Sequence, residues 1–330
     1  MRRRRVLRLS FAAASVAAGS VAGGGAAQAQ AFPSQPVRVV VGFPPGGATD
    51  VIARIVAEGM AERLPGNRGV VVENRSGASG IVAGEAVAKA PPDGHTLMVV
   101  SSAHATLREL YANVPFDPVE DFAPIALLAS TPYVAVVHPG APANSMQELI
   151  ALAKRRPGEL SYAAGGLGTA QHLAGEMFKR VAGVDILHVS YRGSGAVRAD
   201  LLAGRVQLMF DNIAVMAPYV RRGELRGLAV TGRSRNPLAP ELPTLRELGL
   251  GGAEIEGWFA LLAPAGTPPE VVAALNGAVN ATLATDAVRQ RLLALGAEPL
   301  GGEPEHVTAL VRAEREKWGR VIREAGIRPE

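Results

Sequence analysis

The chain alternates between two patterns of apolar residues, one typical of buried strands and one typical of helices. β-Branched or apolar runs at residues 37–43, 70–73, 96–101, 160–164, 186–191 and 207–211 predict strands. Segments at 49–64, 79–89, 145–155 and 170–181 predict helices, since several of them repeat apolar residues at three- and four-residue spacing. The strands are apolar throughout rather than alternately polar, which favours a parallel sheet covered on both faces. The pattern therefore predicts an α/β fold.

The strand and helix pattern occurs twice, first over residues 37–101 and again over residues 160–231. An extended apolar stretch at 125–137 separates the two occurrences. Two βα halves of similar size predict two domains rather than one sheet of ten or more strands. After Pro269 the pattern predicts helices alone.

The first 29 residues have the pattern of an export signal peptide. Five arginines lie among the first eight residues, an uncharged stretch follows at 11–27, and small residues surround Ala29. A basic segment, an apolar segment and a small-residue cleavage site are the parts of a secretory signal. A membrane anchor is disfavoured, because the uncharged stretch is short of the ~20 strongly apolar residues that a spanning helix needs. We expect export from the cytoplasm, by the general or the twin-arginine route.

The positive charge of the chain belongs mainly to this N-terminal segment. The whole sequence has a formal net charge of +4, and loss of the five N-terminal arginines changes it to −1. Downstream, no stripe of basic residues with interleaved aromatics occurs, so nucleic acid is not expected as a partner. The sequence has no cysteine, which excludes disulfides, thiolate nucleophiles and cysteine-ligated metals.

Two glycine-rich loops each follow a predicted strand and precede a predicted helix. N–H groups at a helix start have no intrahelical partner, and the helix dipole adds partial positive charge there. We expect both loops to hold an anion beyond the carboxyl ends of the strands. The residues expected to contribute are Phe43, Gly46, Gly47 and Thr49 in the first loop, and Gly166, Gly168, Thr169 and His172 in the second.

Several of these residues also have a purely structural interpretation. Thr49 can act only as a helix cap, and Asp50 can do no more than complement the helix dipole. His172 taken alone fits an ordinary core or surface histidine better than a ligand-binding one. Arg192 fits a carboxylate clamp and a solvated loop charge equally well.

Enzyme motifs are mostly missing from the sequence. Neither glycine loop has the spacing of a dinucleotide fingerprint or of a P-loop, and no GxSxG nucleophile motif occurs. The six histidines do not have the spacing of metal ligands. We therefore expect no catalytic residue, no cofactor and no metal.

A series of short motifs runs in order through the chain after the signal peptide. They are FPSQPVRVVVGFPPGGATD (32–50), VENR (72–75), AKAPPDGHTL (88–97), LY (110–111), DFAP (121–124), GTAQHLAGE (168–176), HVSYRG (188–193), LRGLAV (225–230), PTL (243–245), Trp258, APAGTP (263–268) and KW (317–318). In this order they resemble the periplasmic substrate-binding receptors of tripartite tricarboxylate transporters, often called Bug receptors.

The resemblance implies a periplasmic-binding-protein-like fold of type II, in which two parallel-sheet α/β domains are joined by crossing strands. On this chain we expect the signal peptide at 1–29, a discontinuous domain 1 at 30–130 and 227–330, and domain 2 at 131–226. The resemblance also implies that the loop at 43–49 and the helix start at 166–169 hold a ligand carboxylate, partly through ordered water. The further cleft positions that it implies are Ser101, Ser102, Tyr191, Arg192 and Asp211.

The chain departs from the family pattern at two places. Ser190 stands where a proline is expected before Tyr191, and Ala103 and His104 stand where small residues or asparagine are common. Ligand selectivity on that wall of the cleft is therefore not fixed by the resemblance.

The sequence thus predicts a monomeric receptor that binds without chemistry. Closure of two domains would bury a small organic carboxylate, and the closed form would deliver it to a membrane permease. Two alternatives stay open: a periplasmic sensor for a signalling kinase, and a periplasmic hydrolase, which would need a nucleophile beside a base.

Overall fold

The computed structural model describes residues 32–166, 169–191, 194–324 and 326–327, which form ten strands and ten α-helices. The strands are β1 (Val37–Val41), β2 (Val70–Asn74), β3 (Thr96–Ser101), β4 (Phe122–Val137), β5 (Ser161–Ala164), β6 (Leu187–Ser190), β7 (Leu208–Asn212), β8 (Arg226–Val230), β9 (Glu256–Pro264) and β10 (Glu298–Gly301). The helices are α1 (Ala48–Ala61), α2 (Ile81–Ala88), α3 (Leu107–Leu110), α4 (Met146–Arg155), α5 (Ala170–Ala182), α6 (Ser194–Leu202), α7 (Ile213–Arg221), α8 (Pro269–Leu283), α9 (Asp286–Ala294) and α10 (Pro304–Glu324).

The α/β class and the predicted strands and helices are confirmed, with ends that differ by a few residues. Strands β1 and β3 are buried along nearly their whole length, as continuous apolar runs require. The sequence analysis did not predict β9 and β10. Strand β10 is short and contains a proline and a glycine, which weaken a strand pattern.

All ten strands are linked by hydrogen bonds in the order β2-β1-β3-β9-β4-β7-β5-β6, with β8 and β10 also paired to β4. The pairs β1–β2, β1–β3, β5–β6 and β5–β7 are parallel, as predicted. The pairs that involve β4 or β9 are antiparallel, so the sheet as a whole is mixed.

Strand β4 belongs to two parts of the sheet. Its residues 122–132 pair with β9, and its residues 133–137 pair with β7 and β8. We call β1–β3, β9 and β10 with their helices the first half, and β5–β8 with their helices the second half. This shared strand makes one connected sheet of ten strands, where the sequence pattern favoured two domains over one sheet of that size. Division into two domains at the predicted boundaries stays a prediction.

Helix α10 contacts the cores of both halves. Val307 and Val311 in its first part pack in an apolar cluster with β3 and β9. Trp318, Val321 and Ile322 in its second part pack in the cluster formed by α4, α5 and β7. Helix α10 therefore lies across the region where the chain passes between the halves.

Within the described residues, no single helix is long and apolar enough to cross a membrane. Helices α8 and α9 meet that criterion only as a pair, and they are bent by 73° relative to each other.

Candidate functional site

A cavity of about 420 Å³ lies between the two halves of the sheet, and we call it the cleft. Its walls include the loop from β1 to α1, the end of β3, the starts of α5 and α7, and part of α6. Thr131 and Tyr133 of β4 and Gly257 and Phe259 of β9 also line it. Carboxyl ends of parallel strands thus surround the cleft on both sides, the usual position of ligands in open α/β sheets.

The first glycine loop is fastened by the carboxylate of Asp50. Gly46 adopts a φ of +80°, and its N–H donates to Asp50 Oδ2 at 2.8 Å. Asn74 Nδ2 donates both to Asp50 Oδ1 at 2.9 Å and to the carbonyl oxygen of Phe43 at 3.0 Å. The N–H of Gly46 is therefore satisfied within the protein, where the sequence analysis expected it to face an anion.

Asp50 has a larger structural role than the dipole complement that the sequence suggested. Burial opposes its charged form, but hydrogen bonds from Arg54, Gly46 and Asn74 outweigh that effect and lower its pKa. Arg54 is also its ion-pair partner at 2.9 Å. The sequence signal for this arrangement is an acidic residue in the first helical turn after a glycine loop.

The start of α1 leaves backbone donors at the cleft. The helix begins after Gly47, and its first backbone bond runs from the Val51 N–H to the Gly47 carbonyl oxygen at 3.0 Å. The N–H groups of the preceding first turn have no carbonyl partner within the helix. Thr49 makes no side-chain capping bond, so the cap interpretation of Thr49 is wrong. Its hydroxyl makes no hydrogen bond within the described part of the chain.

The second glycine loop is closed by side chains of α5. The Gly165 N–H donates to Gln171 Oε1 at 2.8 Å. Thr169 is the N-cap of α5: its hydroxyl donates to the Gly166 carbonyl oxygen at 2.9 Å and accepts from the His172 N–H at 3.4 Å. Because Thr169 already uses its proton in the loop, its main expected contribution is to hold the helix start, which turns backbone N–H groups toward the cleft.

The strands that cross between the halves add polar groups that the sequence analysis missed. Thr131 is 2% exposed, and its hydroxyl has no hydrogen-bond partner among the described residues. A side chain at Gly257 would place its Cβ 3.1 Å from Thr131 Oγ1 and 3.2 Å from the Tyr133 hydroxyl. Glycine at this position therefore leaves the space beside both hydroxyls free of a side chain. No pattern around residue 131 distinguishes it from other strand residues.

One ion pair lines the cleft in the described part of the chain. Arg198 Nη1 lies 3.5 Å from Asp211 Oδ2. Asp211 Oδ1 accepts from Gln171 Nε2 at 2.6 Å and from the Asn212 N–H at 2.8 Å. Burial raises the pKa of Asp211 in spite of these bonds. Burial and the Asp211 charge raise the pKa of Tyr133, so its hydroxyl stays protonated.

The structure brings most of the predicted site residues together. The predicted residues that line the cleft are Phe43, Gly46, Gly47, Thr49, Ser101, Ser102, Thr169 and Asp211. Gly166 and His172 are not in the lining; His172 is buried and stacks on His188 with ring centroids 4.0 Å apart. Gly168 and Arg192 lie outside the described residues. A role in ligand binding stays a prediction for all of them.

The described residues contain no group of three or more histidine, aspartate or glutamate side chains placed to hold a metal ion. The predicted signal peptide at 1–29 also lies outside the described residues.

Comparison with known proteins places the chain in a family. Residues 52–327 match the family model described as tripartite tricarboxylate transporter family receptor, TctC. The protein BugT of Bordetella pertussis is 36% identical over 300 residues, which cover 90% of this chain and 91% of BugT.

Solved structures agree with this placement. The Rhodopseudomonas palustris protein Rpa4515, solved with adipate, has a TM-score of 0.81 and 41% identity and covers 91% of this chain and 100% of its own. The periplasmic binding protein BugD has a TM-score of 0.78 and 35% identity, with coverage of 91% and 100%. MatC of R. palustris, solved with bound malate, has a TM-score of 0.75 and 34% identity, with coverage of 88% and 100%. The predicted periplasmic-binding-protein fold and the Bug resemblance are confirmed, and the chain belongs to the tripartite tricarboxylate transporter receptor family.

Proposed function

We propose that this protein binds a small organic carboxylate in the cleft and delivers it to the membrane part of a tripartite tricarboxylate transporter. The observation that carries the proposal is the convergence of two helix starts, those of α1 and α5, on one cavity. Such helix starts stabilise anions through free N–H groups and the helix dipole. The adipate and malate found in the related R. palustris structures support a carboxylate as the ligand.

The remaining groups of the cleft fit a ligand with polar groups at both ends. The hydroxyls of Thr49, Ser101 and Ser102 line the cleft without a described hydrogen-bond partner. Arg198 lies on the wall formed by α6, and only one of its nitrogens contacts Asp211. A carboxylate at the far end of the ligand would give the Arg198 guanidinium a second partner, since its fork accommodates two.

Closure of the two halves around the ligand is the proposed mechanism of capture. The first half lies within the proposed domain at 30–130 with 227–330. The second half covers most of the proposed domain at 131–226 and also includes β8, which crosses the proposed boundary. The halves are linked through β4 and through the segment from Thr231 to Glu256, which offers a small number of backbone positions for a hinge. Burial in a closed cleft would strengthen each hydrogen bond to the ligand by excluding water.

We propose binding without catalysis. Nucleophilic catalysis by serine needs an adjacent base, and none of the described residues that line the cleft is a histidine. The N-terminal sequence supports export to the periplasm, and we propose that the receptor acts as a monomer.

Calorimetric titration of the purified protein with adipate and malate tests the proposal. We expect saturable binding of one ligand per chain. Adipamide, which has the length of adipate without its charges, is the matched control and should not bind measurably. If neither carboxylate binds and a wider panel of organic acids does not raise the melting temperature, the proposal is wrong.

Two further measurements distinguish the alternatives. Hydrolysis of ester or amide substrates by the purified protein would favour the hydrolase. Loss of growth on the bound acid in a strain that lacks the permease would favour transport over signalling.

A further inference from the structure

A second cavity, of about 410 Å³, lies on the opposite side of the crossing strands, and we call it the back cavity. It is lined by Ser130 and Trp258 of the crossing strands, by Arg233 and Glu256, and by Leu300 and Leu310. Side chains of a strand alternate between faces, so Glu256 and Trp258 line the back cavity while Gly257 and Phe259 line the cleft. The crossing strands therefore present different side chains to the two cavities.

The indole of Trp258 supplies a hydrogen-bond donor that the protein does not use. Trp258 is 3% exposed, and its Nε1 is buried and makes no hydrogen bond with any residue that the structure describes. A buried donor without an acceptor is unfavourable, and such groups are rare in native proteins unless a ligand or water accepts from them. Trp258 lines the back cavity, so a ligand acceptor that reaches its Nε1 would remove this cost.

Two of the three cations at the back cavity are already paired. Arg246 contacts Glu254 at 2.9 Å. Lys317 lies 3.7 Å from Glu314, which also accepts from the Trp318 indole at 2.5 Å. These groups balance one another, so the pairs leave no net charge for a ligand to neutralise.

The third cation and the third carboxylate are not paired. Arg233 is exposed, and its guanidinium has no carboxylate within 4 Å and no hydrogen bond among the described residues. The Glu256 carboxylate accepts only from the backbone N–H of Arg233, at 3.2 Å, and has no cation within the same limit. The cavity therefore presents one available positive group and one available negative group beside an apolar wall.

We propose that the back cavity binds a zwitterionic α-amino acid with an apolar side chain, in addition to the ligand of the cleft. Its carboxylate would bind the Arg233 guanidinium and the Trp258 indole N–H, and its ammonium would bind Glu256. The apolar side chain would pack on Leu127, Leu300 and Leu310; Leu300 is 43% exposed and gains the most from being covered. A simple anion would leave Glu256 unpaired, and a simple cation would leave Arg233 unpaired, so the zwitterion fits better than either.

The two tryptophans of the chain, Trp258 and Trp318, provide a direct test. Protein labelled with 5-fluorotryptophan gives one fluorine NMR signal for each, and a Trp258→Phe variant assigns them. Titration uses L-leucine, 4-methylpentanoate, which lacks the ammonium, and 3-methylbutylamine, which lacks the carboxylate. We expect leucine to shift the Trp258 signal saturably and to bind roughly tenfold or more tightly than either analogue, since each loses a charge-assisted hydrogen bond.

Charge-removing variants separate specific binding from a general effect. Arg233→Gln should weaken leucine roughly tenfold and leave 3-methylbutylamine unchanged. Glu256→Gln should weaken leucine without weakening 4-methylpentanoate. Arg155→Gln removes an exposed arginine of α4 that lines neither cavity, and it should leave all three affinities unchanged.

Three outcomes would overturn the proposal: no saturable shift with leucine at millimolar concentration, equal binding of leucine and its analogues, or unchanged leucine binding in Arg233→Gln and Glu256→Gln. Loss of leucine binding in the cleft variant Arg198→Met would place leucine in the cleft and would also overturn it. A cleft that fails to bind carboxylates would leave the back cavity unaffected, so the two proposals fail separately.

Discussion

The side chain of Thr231 contacts the backbone of Tyr133. This contact joins β4 to the segment from Thr231 to Glu256, the two segments that cross between the halves. Its hydroxyl oxygen accepts from the Tyr133 N–H at 2.8 Å and lies 2.6 Å from the Ile255 carbonyl oxygen, to which it donates. The Thr231 N–H donates to the Tyr133 carbonyl oxygen at 2.8 Å, and the residue is fully buried. One hydroxyl thus connects β4 with both ends of the segment from Thr231 to Glu256.

Thr231→Val removes this hydroxyl while keeping the shape of the side chain. Because the Tyr133 N–H and the Ile255 carbonyl would lose their buried partner, we expect the free energy of unfolding to fall by roughly 1–3 kcal/mol. Urea denaturation measures it. Thr231→Ser keeps the hydroxyl and should lose less than Thr231→Val. A loss of stability in Thr231→Ser with none in Thr231→Val would show that methyl packing, not the hydrogen bonds, is what Thr231 contributes.

The sequence predicts most strands and helices of each half but not the way in which the halves are linked. The apolar runs of β1 and β3 predict buried parallel strands because continuous apolar runs are typical of strands that are covered on both faces. The antiparallel pairing of β4 with β9 joins residues more than a hundred positions apart, and no local pattern reports it. Strand β9 is as apolar as β3, yet the sequence analysis did not predict it as a strand.

The same limit applies to the candidate site. Glycine loops before helices are visible in sequence because φ values such as the +80° of Gly46 favour glycine. Thr131 and Arg198 reach the cleft only through the packing of the two halves, so their position could not be inferred from neighbouring residues. Asp50 was noticed, but the hydrogen bond that it accepts from Asn74 depends on β2 lying beside the loop.

Thr131 permits a test in which ligand affinity and stability respond differently. Its hydroxyl has no described partner in the unliganded protein, so Thr131→Val should leave the free energy of unfolding unchanged or slightly higher. If the hydroxyl binds the ligand, affinity for adipate should fall roughly tenfold. Calorimetry and urea denaturation give the two quantities. Thr131→Ser is the matched control and should retain most of the affinity; unchanged adipate binding in Thr131→Val would remove Thr131 from the site.

Arg198 allows the far end of the ligand to be tested with two acids of equal length. Adipate has a second carboxylate where hexanoate has a methyl group. We expect wild-type protein to prefer adipate, and Arg198→Met to lose roughly tenfold or more in adipate affinity with little change for hexanoate. Calorimetric titration of both acids into both proteins gives four affinities, which together form a thermodynamic cycle. If Arg198→Met weakens the two acids equally, Arg198 contributes to the shape or stability of the cleft and does not contact a second carboxylate.

The stacked histidines behind α5 predict a loss of stability in acid. Burial, His188 and Lys179 lower the pKa of His172 to about 3, and burial also lowers the pKa of His188. Groups around the pair include Tyr162, stacked on His188 at 5.0 Å between ring centroids, and Glu176, which accepts from the Tyr162 hydroxyl and from Lys179. In the unfolded chain a histidine has a pKa of about 6.5.

The sign of the pH effect follows from which state binds the proton. Below about pH 6.5 the unfolded chain takes up a proton at residue 172 while the folded protein does not, so the free energy of unfolding falls as the pH decreases toward 3. For His172 alone the loss reaches about 2 kcal/mol at pH 5. Urea denaturation from pH 8 to pH 4.5 measures the slope. His172→Phe keeps a ring in the stack and removes the proton site, so the difference between wild type and variant should be constant above pH 7.5 and should shift in favour of the variant as the pH decreases. A difference that stays constant over the whole range would mean that His172 binds a proton equally well in the folded and unfolded states.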